Sequence, residues 1–229
     1  MPVYYKPFNT KLDSDEMKVN AKFVWDYLGS RGWSLDAVCG LLGNFEAEST
    51  INPNRVETKH ISRWPNWGNY GFGVAQWTPW YTKQKSDGSW YDPANYHGSN
   101  NPTYGYWAEQ NGYTVLADGS GTIGNFEPQL DYLNANLGTG EGKTWVQNYK
   151  TTNVGAEQAA KDFYVYYERS EIDTWGTRPE KAIKWYNYLA GIAPEPPDTP
   201  DPPEPPEPPT PTYRKSNFII LAYGSGLFK

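Results

Sequence analysis

Cysteine is nearly missing from this chain: Cys39 is the one instance in 229 residues. A single thiol excludes an internal disulfide framework, and its place within an apolar helical pattern reads as a small buried hydrophobe rather than a nucleophile. Histidine is almost as scarce. His60 and His97 are the two present, and they fall at no metal-ligand spacing, so neither a metal nor another cofactor is expected. Long apolar runs are lacking too. With a mean hydropathy of −0.79, no stretch approaches the roughly 20 apolar residues of a transmembrane helix. The opening MPVYYK has neither the apolar core nor the small-residue cleavage site of a secretory signal. Basic charge is in short supply, with 20 Lys and Arg against 26 Asp and Glu and a net charge of −6. That balance argues against a nucleic-acid partner, which requires a basic field.

Aromatic residues are present in excess: 17% of the chain, with 11 Trp and 19 Tyr. Many fall in loop-like sequence. Exposed Trp and Tyr suit sugar rings, whose C–H faces stack on aromatic planes, and they equally suit protein interfaces.

The length allows one sizeable core with appendages. We expect a globular domain over residues 1–192, mainly α within an α+β class. After an irregular lead-in, Asp13 and Glu16 form an acidic capping box for a helix over about 14–28, with Met17, Ala21, Val24 and Leu28 on one face. Pro128 suits a helix start ahead of Leu130, Leu133 and Leu137. Further helices are expected over 143–150 and 154–168, and after a capping box of Thr177 and Glu180 up to Gly191. Residues 80–125 show turn signals and no helical pattern, and read as an inserted surface lobe with a possible strand at 113–117. Its Trp80, Trp90, Tyr91, Tyr96, Tyr104 and Trp107 suit a glycan-stacking face or a contact with a neighbouring protein. Residues 193–212 are an acidic, proline-rich spacer of polyproline II character. Residues 213–229, YRKSNFIILAYGSGLFK, then read as an apolar anchor peptide for another protein, or as a strand that folds back.

Residues 34–53, SLDAVCGLLGNFEAESTINP, concentrate the chemistry. Leu35, Val38, Leu42 and Phe45, with Leu41 beside them, have helical spacing behind the N-cap Ser34. Glu48 follows Leu41 by seven residues and Phe45 by three, which continues the buried stripe. Glu46 lies about 200° away around the helix and is expected on a different surface. Asn52-Pro53 supplies the stop. A carboxyl at the end of a core helix can hold a proton near neutral pH, because burial disfavours its charged form. The same position suits a helix-end acid in a salt bridge. Downstream, GFGVAQWTP (71–79) punctuates an apolar segment with Gly71 and Gly73, which permit a close approach of a neighbouring element or a ligand.

DEMKVNAKFVWDYL, GWSLDAVCGLLGNFEAESTINP, GFGVAQWTP and FYVYYERS occur in the order seen in the phage tail lysozyme family, peptidoglycan-cleaving modules at the tail tips of phages of Gram-positive bacteria. The chain resembles in particular the module of small short-tailed phages, over residues 14–190. The resemblance implies a fold like goose-type lysozymes and lytic transglycosylases, with Glu48 as catalytic acid and Gly71, Gly73 and Gln76 lining the glycan cleft. Trp77 joins them as a candidate substrate contact. Tyr167 or Glu168 would approach the cleft from a late helix. Larger members carry a metallopeptidase domain, but this chain has no H-x-H pair. No second carboxylate is placed by spacing, and Glu57, Glu46 and Glu168 are the candidates. Without one, Glu48 acting alone would give a 1,6-anhydro sugar. The resemblance implies a virion protein at the tail tip that cleaves the β-1,4 glycan of the host wall and contacts other tail proteins through residues 213–229. The alternatives are a non-catalytic glycan-binding or structural tail-tip protein, and a free endolysin.

Overall fold

Helix α2 (Leu35–Ser49) is the axis of the structure, a computed structural model that describes residues 3–6, 10–57, 70–78, 80–81, 102–114, 121–135, 142–168 and 174–192. The spacer at 193–212, the anchor at 213–229, most of the stretch 80–125, both histidines, Leu137 and Arg169 lie outside these residues. The other described helices are α1 (Ser14–Gly29), α3 (Tyr104–Gln110), α4 (Phe126–Asn134), α5 (Gly142–Tyr149), α6 (Ala156–Asp162) and α7 (Arg178–Leu189), of which α1, α6 and α7 pack on α2. A π-helical turn, Phe163–Tyr167, continues α6. Among the described residues β structure is limited to two isolated antiparallel bridges, Val56 with Phe72 and Phe72 with Trp77. The protein is therefore mainly helical with little strand, compatible with a lysozyme-like, mainly-α fold. None of the described helices is long and apolar enough to cross a membrane.

The helix signals act locally much as their chemistry dictates. Asp13 accepts from the amides of Asp15 and Glu16, and Glu16 accepts from the Asp13 amide at 2.8 Å, which completes the capping box. Ser34 Oγ accepts from the Ala37 amide at 3.1 Å. The capping box expected at Thr177 is not made, since Thr177 forms no side-chain cap bond. Helix α4 begins at Phe126, two residues ahead of Pro128, whose missing N–H costs nothing within a first turn.

Helix α2 is not the one-sided helix that its apolar spacing suggests. Every residue from Ala37 to Phe45 is buried, the pattern of a helix surrounded by others. Glycine makes this possible. A Cβ at Gly40 would sit 2.8 Å from the Ala159 backbone of α6 and closer still to Tyr149 Oη. One at Gly43 would sit 2.5 Å from the Arg178 carbonyl oxygen and 2.9 Å from Ala182 of α7. The two glycines thus let α6 and α7 close onto α2, and Cys39 is fully buried beside them.

A second core lies beside the first. Val56, Tyr70, Phe72, Trp80, Tyr104, Ala108, Ile123 and Tyr132 are buried together. Four of these belong to the stretch expected as a surface lobe, so that stretch contributes to the interior, and Trp80 and Tyr104 are core residues rather than exposed stacking faces. Helix α3 is the reason. Its seven residues are too few to be stable alone, but Gly105 lets it lie against the Trp80 ring, where a Cβ would meet ring carbons at 2.9 Å. Of the possible strand at 113–117, Tyr113 and Thr114 are described and non-helical. Trp77 packs against both cores.

Candidate active site

The C-terminal end of α2 is closed by two β-branched residues in the left-handed region, Thr50 (φ 56°) and Ile51 (φ 56°). Such residues avoid positive φ, at a cost of about 1–3 kcal/mol each, so their neighbours must hold them. Ile51 N donates to Phe45 O and Thr50 N to Glu46 O, both at 3.2 Å, a Schellman-type closure. Thr50 Oγ1 accepts from Leu12 N at 3.1 Å, and Asn20 Nδ2 donates to Ile51 O at 2.9 Å. Fully buried Asn52 binds the carbonyls of Lys6 and Thr10 at 3.0 and 3.1 Å. The helix therefore ends through this clamped pair, ahead of the Asn52-Pro53 step expected to stop it. Its last residues, Glu46, Glu48 and Ser49, are aimed by that closure.

Each glutamate of the pair meets a cation of α7. Glu46 Oε2 is 2.5 Å from Lys184 Nζ, and Glu48 Oε1 is ion-paired with Arg178 Nη2. Glu48, expected to continue the buried stripe, is the more exposed of the two. The Glu46 side chain is 12% exposed and that of Glu48 27%, because α2 is enclosed on several sides and no single stripe is its dry face. Both the catalytic-acid and the salt-bridge readings of Glu48 must therefore accommodate Arg178.

Glu168 joins this cluster from the other direction. The π-helical turn, closed by Glu168 N donating to Phe163 O at 3.1 Å, re-aims the end of the α6 segment, as such turns commonly do at functional sites. The Glu168 side chain is 12% exposed, with Oε2 at 3.8 Å from Arg178 Nε. Burial and the negative charge of Glu48 push its carboxyl up to about 8, against the opposing pull of Arg178. The burial-raised acid of the site is thus Glu168. Arg178 completes the group. Its guanidinium lies over the Tyr164 ring at 4.4 Å, and Nη1 donates to Trp175 O at 3.2 Å. Two carboxylates that share one guanidinium, one of them protonated near neutral pH, make an acid–base pair with the roles separated by environment.

The segment expected as the opposite wall is tied to α2 directly. Ser49 Oγ donates to Phe45 O at 2.9 Å and lies 3.0 Å from Val74 O. A tight hairpin spans 72–77, where Trp77 N donates to Phe72 O at 3.0 Å. Gln76 sits in its turn at φ 48° and donates to Arg55 O and Gly73 O at 3.1 and 2.9 Å. Its amide N–H groups are thereby spent on backbone carbonyls. The two glycines have the same origin. A Cβ at Gly71 would meet Gln76 Oε1 at 2.9 Å, and one at Gly73, whose φ is +83°, would meet Gln129 Oε1 at 2.6 Å. Buried Gln129 accepts from Val74 N at 2.8 Å and donates to Pro53 O at 2.7 Å. Glu57 is held at this hairpin, its Oε2 accepting from Gly71 N at 3.1 Å.

Trp77 Nε1 donates to Tyr167 Oη at 3.0 Å, and Tyr167 stacks on Phe163 with centroids 4.6 Å apart. A path of contacts therefore runs from the hairpin through Trp77 and Tyr167 to Glu168, Arg178 and Glu48. Sequence reasoning missed Arg178. A basic residue at the first position of a helix opposes the helix dipole, and that anomaly was the available signal. Among the described residues no group of His, Cys, Asp and Glu could hold a metal ion.

Comparison with known proteins agrees with the motifs. Morphogenesis protein 1 of Bacillus phage B103 is 47% identical over 75 residues, which cover 31% of this chain and 18% of that protein. The chain thus matches less than a fifth of the relative's length. The profile of the phage tail lysozyme family matches residues 19–189, an interval holding every residue of the cluster, both cores and the hairpin. The chain belongs to the phage tail lysozyme family.

Proposed function

We propose that this protein is a virion-associated glycosidase of the phage tail tip that cleaves the β-1,4 glycan of host peptidoglycan during entry. The observation that carries the reading is the meeting of Glu48 and Glu168 on one guanidinium at the end of α2. Glu48, the more exposed carboxyl, is the proton donor to the leaving glycosidic oxygen, and Glu168 is the carboxyl that stands across Arg178 from it. Gly71, Gly73 and Gln76 shape the facing wall of a goose-type or lytic-transglycosylase-like cleft, with Gln76 acting through backbone support. Trp77 orders Tyr167, and Tyr167 orders Glu168. Residues 193–212 serve as spacer and 213–229 as anchor to other tail proteins, a role supported by their composition. A purely structural cluster is the competing reading, favoured by the ion pair that occupies Glu48.

A zymogram of purified Gram-positive cell walls separates the two. Glu48→Gln is expected to abolish clearing at a temperature where the thermal melt shows the variant folded, and undiminished clearing refutes the assignment. Mass spectrometry of the digest then reads the chemistry. Reducing-end saccharides identify hydrolysis, and 1,6-anhydro ends identify transglycosylation.

A further inference from the structure

Two buried polar atoms of the cluster lack hydrogen-bond partners among the described residues. Arg178 Nε and Glu168 Oε1 are both without a hydrogen bond, although Arg178 Nε stands only 3.8 Å from the other oxygen of the same carboxyl. Unmade bonds at buried groups are costly, and a movement of about 1 Å would bring these two groups within hydrogen-bond range. The guanidinium is instead committed to Glu48 through Nη2. Its plane is guided by the Tyr164 ring and its far edge by Trp175 O. The arginine thus stands between two carboxylates, bonded to one and poised for the other.

We propose that Arg178 is a positioning residue that exchanges carboxylates: it pairs with Glu48 in the free protein and passes to Glu168 when the glycan engages, as the proton held by Glu168 moves to Glu48. The step balances. An O–H bond breaks on Glu168 and one forms on Glu48, the arginine keeps its protons, and the net charge of the three groups is unchanged. Solvent reaches Glu48, whose side chain is 27% exposed, and carries the proton. The free protein then holds its catalytic acid in an ionised, tethered form, and only the bound glycan releases it in the protonated form that general-acid catalysis needs. The other titratable groups near the cluster are consistent with one mobile proton. Tyr149 and Tyr167 are buried phenols with values raised by burial, Tyr164 lies under the guanidinium, and Glu46 is engaged by Lys184. This inference rests on the glycosidase reading above.

The test is the pH profile of wall clearing by the full chain, with Glu168→Gln and Glu168→Gln/Arg178→Gln. Gln imitates the protonated carboxyl in shape but has no proton to release and no negative charge to draw the arginine. In the wild type, clearing should fall above about pH 8, where Glu168 loses its proton. In Glu168→Gln the arginine stays on Glu48, so the alkaline limb should move down by at least about one unit, with clearing at pH 7 reduced about tenfold or more. Removing Arg178 from that variant should restore part of the lost clearing, which a merely structural arginine would not do. An unmoved limb, or a double variant no better than the single one, overturns the exchange. A 13C titration of the glutamate carboxyls in the wild type needs no variant to fold and no activity. One glutamate should titrate near pH 8, and the absence of any titration above pH 6 also overturns the proposal. Should the wild type clear no walls, the glycosidase reading fails, while the titration still reports on the pair.

Discussion

At Glu168 burial works against charge, and the sign of the result can be followed into stability. Its folded-state value lies near 8, above the ordinary carboxyl range. Between those limits the folded protein holds a proton that the unfolded chain has released. Stability from this group is therefore fully present in acid and is lost as pH rises toward 8, by at most about 1.4 kcal/mol per pH unit. Glu168→Gln removes that slope. We expect the variant to unfold at a higher temperature than the wild type at pH 8 and to show a much smaller difference at pH 4.5. Thermal melts at the two pH values check it, and equal differences would mean that the buried carboxyl is not the source. The residue scale is where sequence reasoning was weakest. It assigned the burial-raised acid to Glu48 from a helical stripe, whereas the desolvated carboxyl caps a π-helical turn that no local pattern announces. Which carboxyl is desolvated depends on three elements meeting, and spacing within one of them carries no such information.

Among the elements, α2 sets the geometry through the two glycines of its GLLG sequence. The helix itself was legible from Ser34 and the apolar spacing, as were α1, the end of α6 and most of α7. Its full enclosure was not legible, because glycine in a helix reads as a local weakness and its packing role shows only once a partner is present. Gly43 is the sharper case. A Cβ there would fall 2.5 Å from the Arg178 carbonyl oxygen and 2.9 Å from both the amide nitrogen and the Cβ of Ala182, and backbone cannot yield as a flexible side-chain tip can. Gly43→Ala should therefore displace the first turn of α7, at a cost of about 1–3 kcal/mol for overpacking despite the better helix propensity of alanine. Because Arg178 is the first residue of that helix, clearing activity should fall further than the stability loss explains. Urea unfolding beside a clearing assay at a temperature where the variant is fully folded checks this, and full activity in the folded variant would show that the site tolerates movement of α7.

Over the whole molecule, two aromatic-rich cores are joined at Trp77, and that junction brings the two motifs together in space. The sequence offered Glu48 at the end of 34–53 and the glycine-punctuated segment 71–79 as separate signals. The structure links them by Ser49 to Val74 O and by Trp77 to Tyr167. It also explains what the sequence hid: an aromatic-rich stretch without helical pattern looks external, yet its Trp80 and Tyr104 fill a core whose partners Val56 and Tyr132 are 24 or more residues away along the chain. Trp77 stacks on Tyr104 at 4.7 Å and meets Tyr132 edge-on at 5.6 Å. Trp77→Phe keeps an aromatic ring between the cores and removes the indole N–H that meets Tyr167. Losing that bond should cost about 1–2 kcal/mol, which lowers the melting temperature by about 2–8 °C for a domain of this size. The larger effect belongs to the site. Tyr167 immediately precedes Glu168, so losing the Trp77 bond removes one of the contacts that hold the π-helical turn and the carboxyl beside Arg178. Clearing should then drop well beyond the stability change, and the alkaline limb of its pH profile should move as the burial of Glu168 changes. A variant that melts a few degrees lower but clears with an unmoved profile would show that the turn is held by the first core alone, and that the hairpin contributes shape to the site without contributing to its proton.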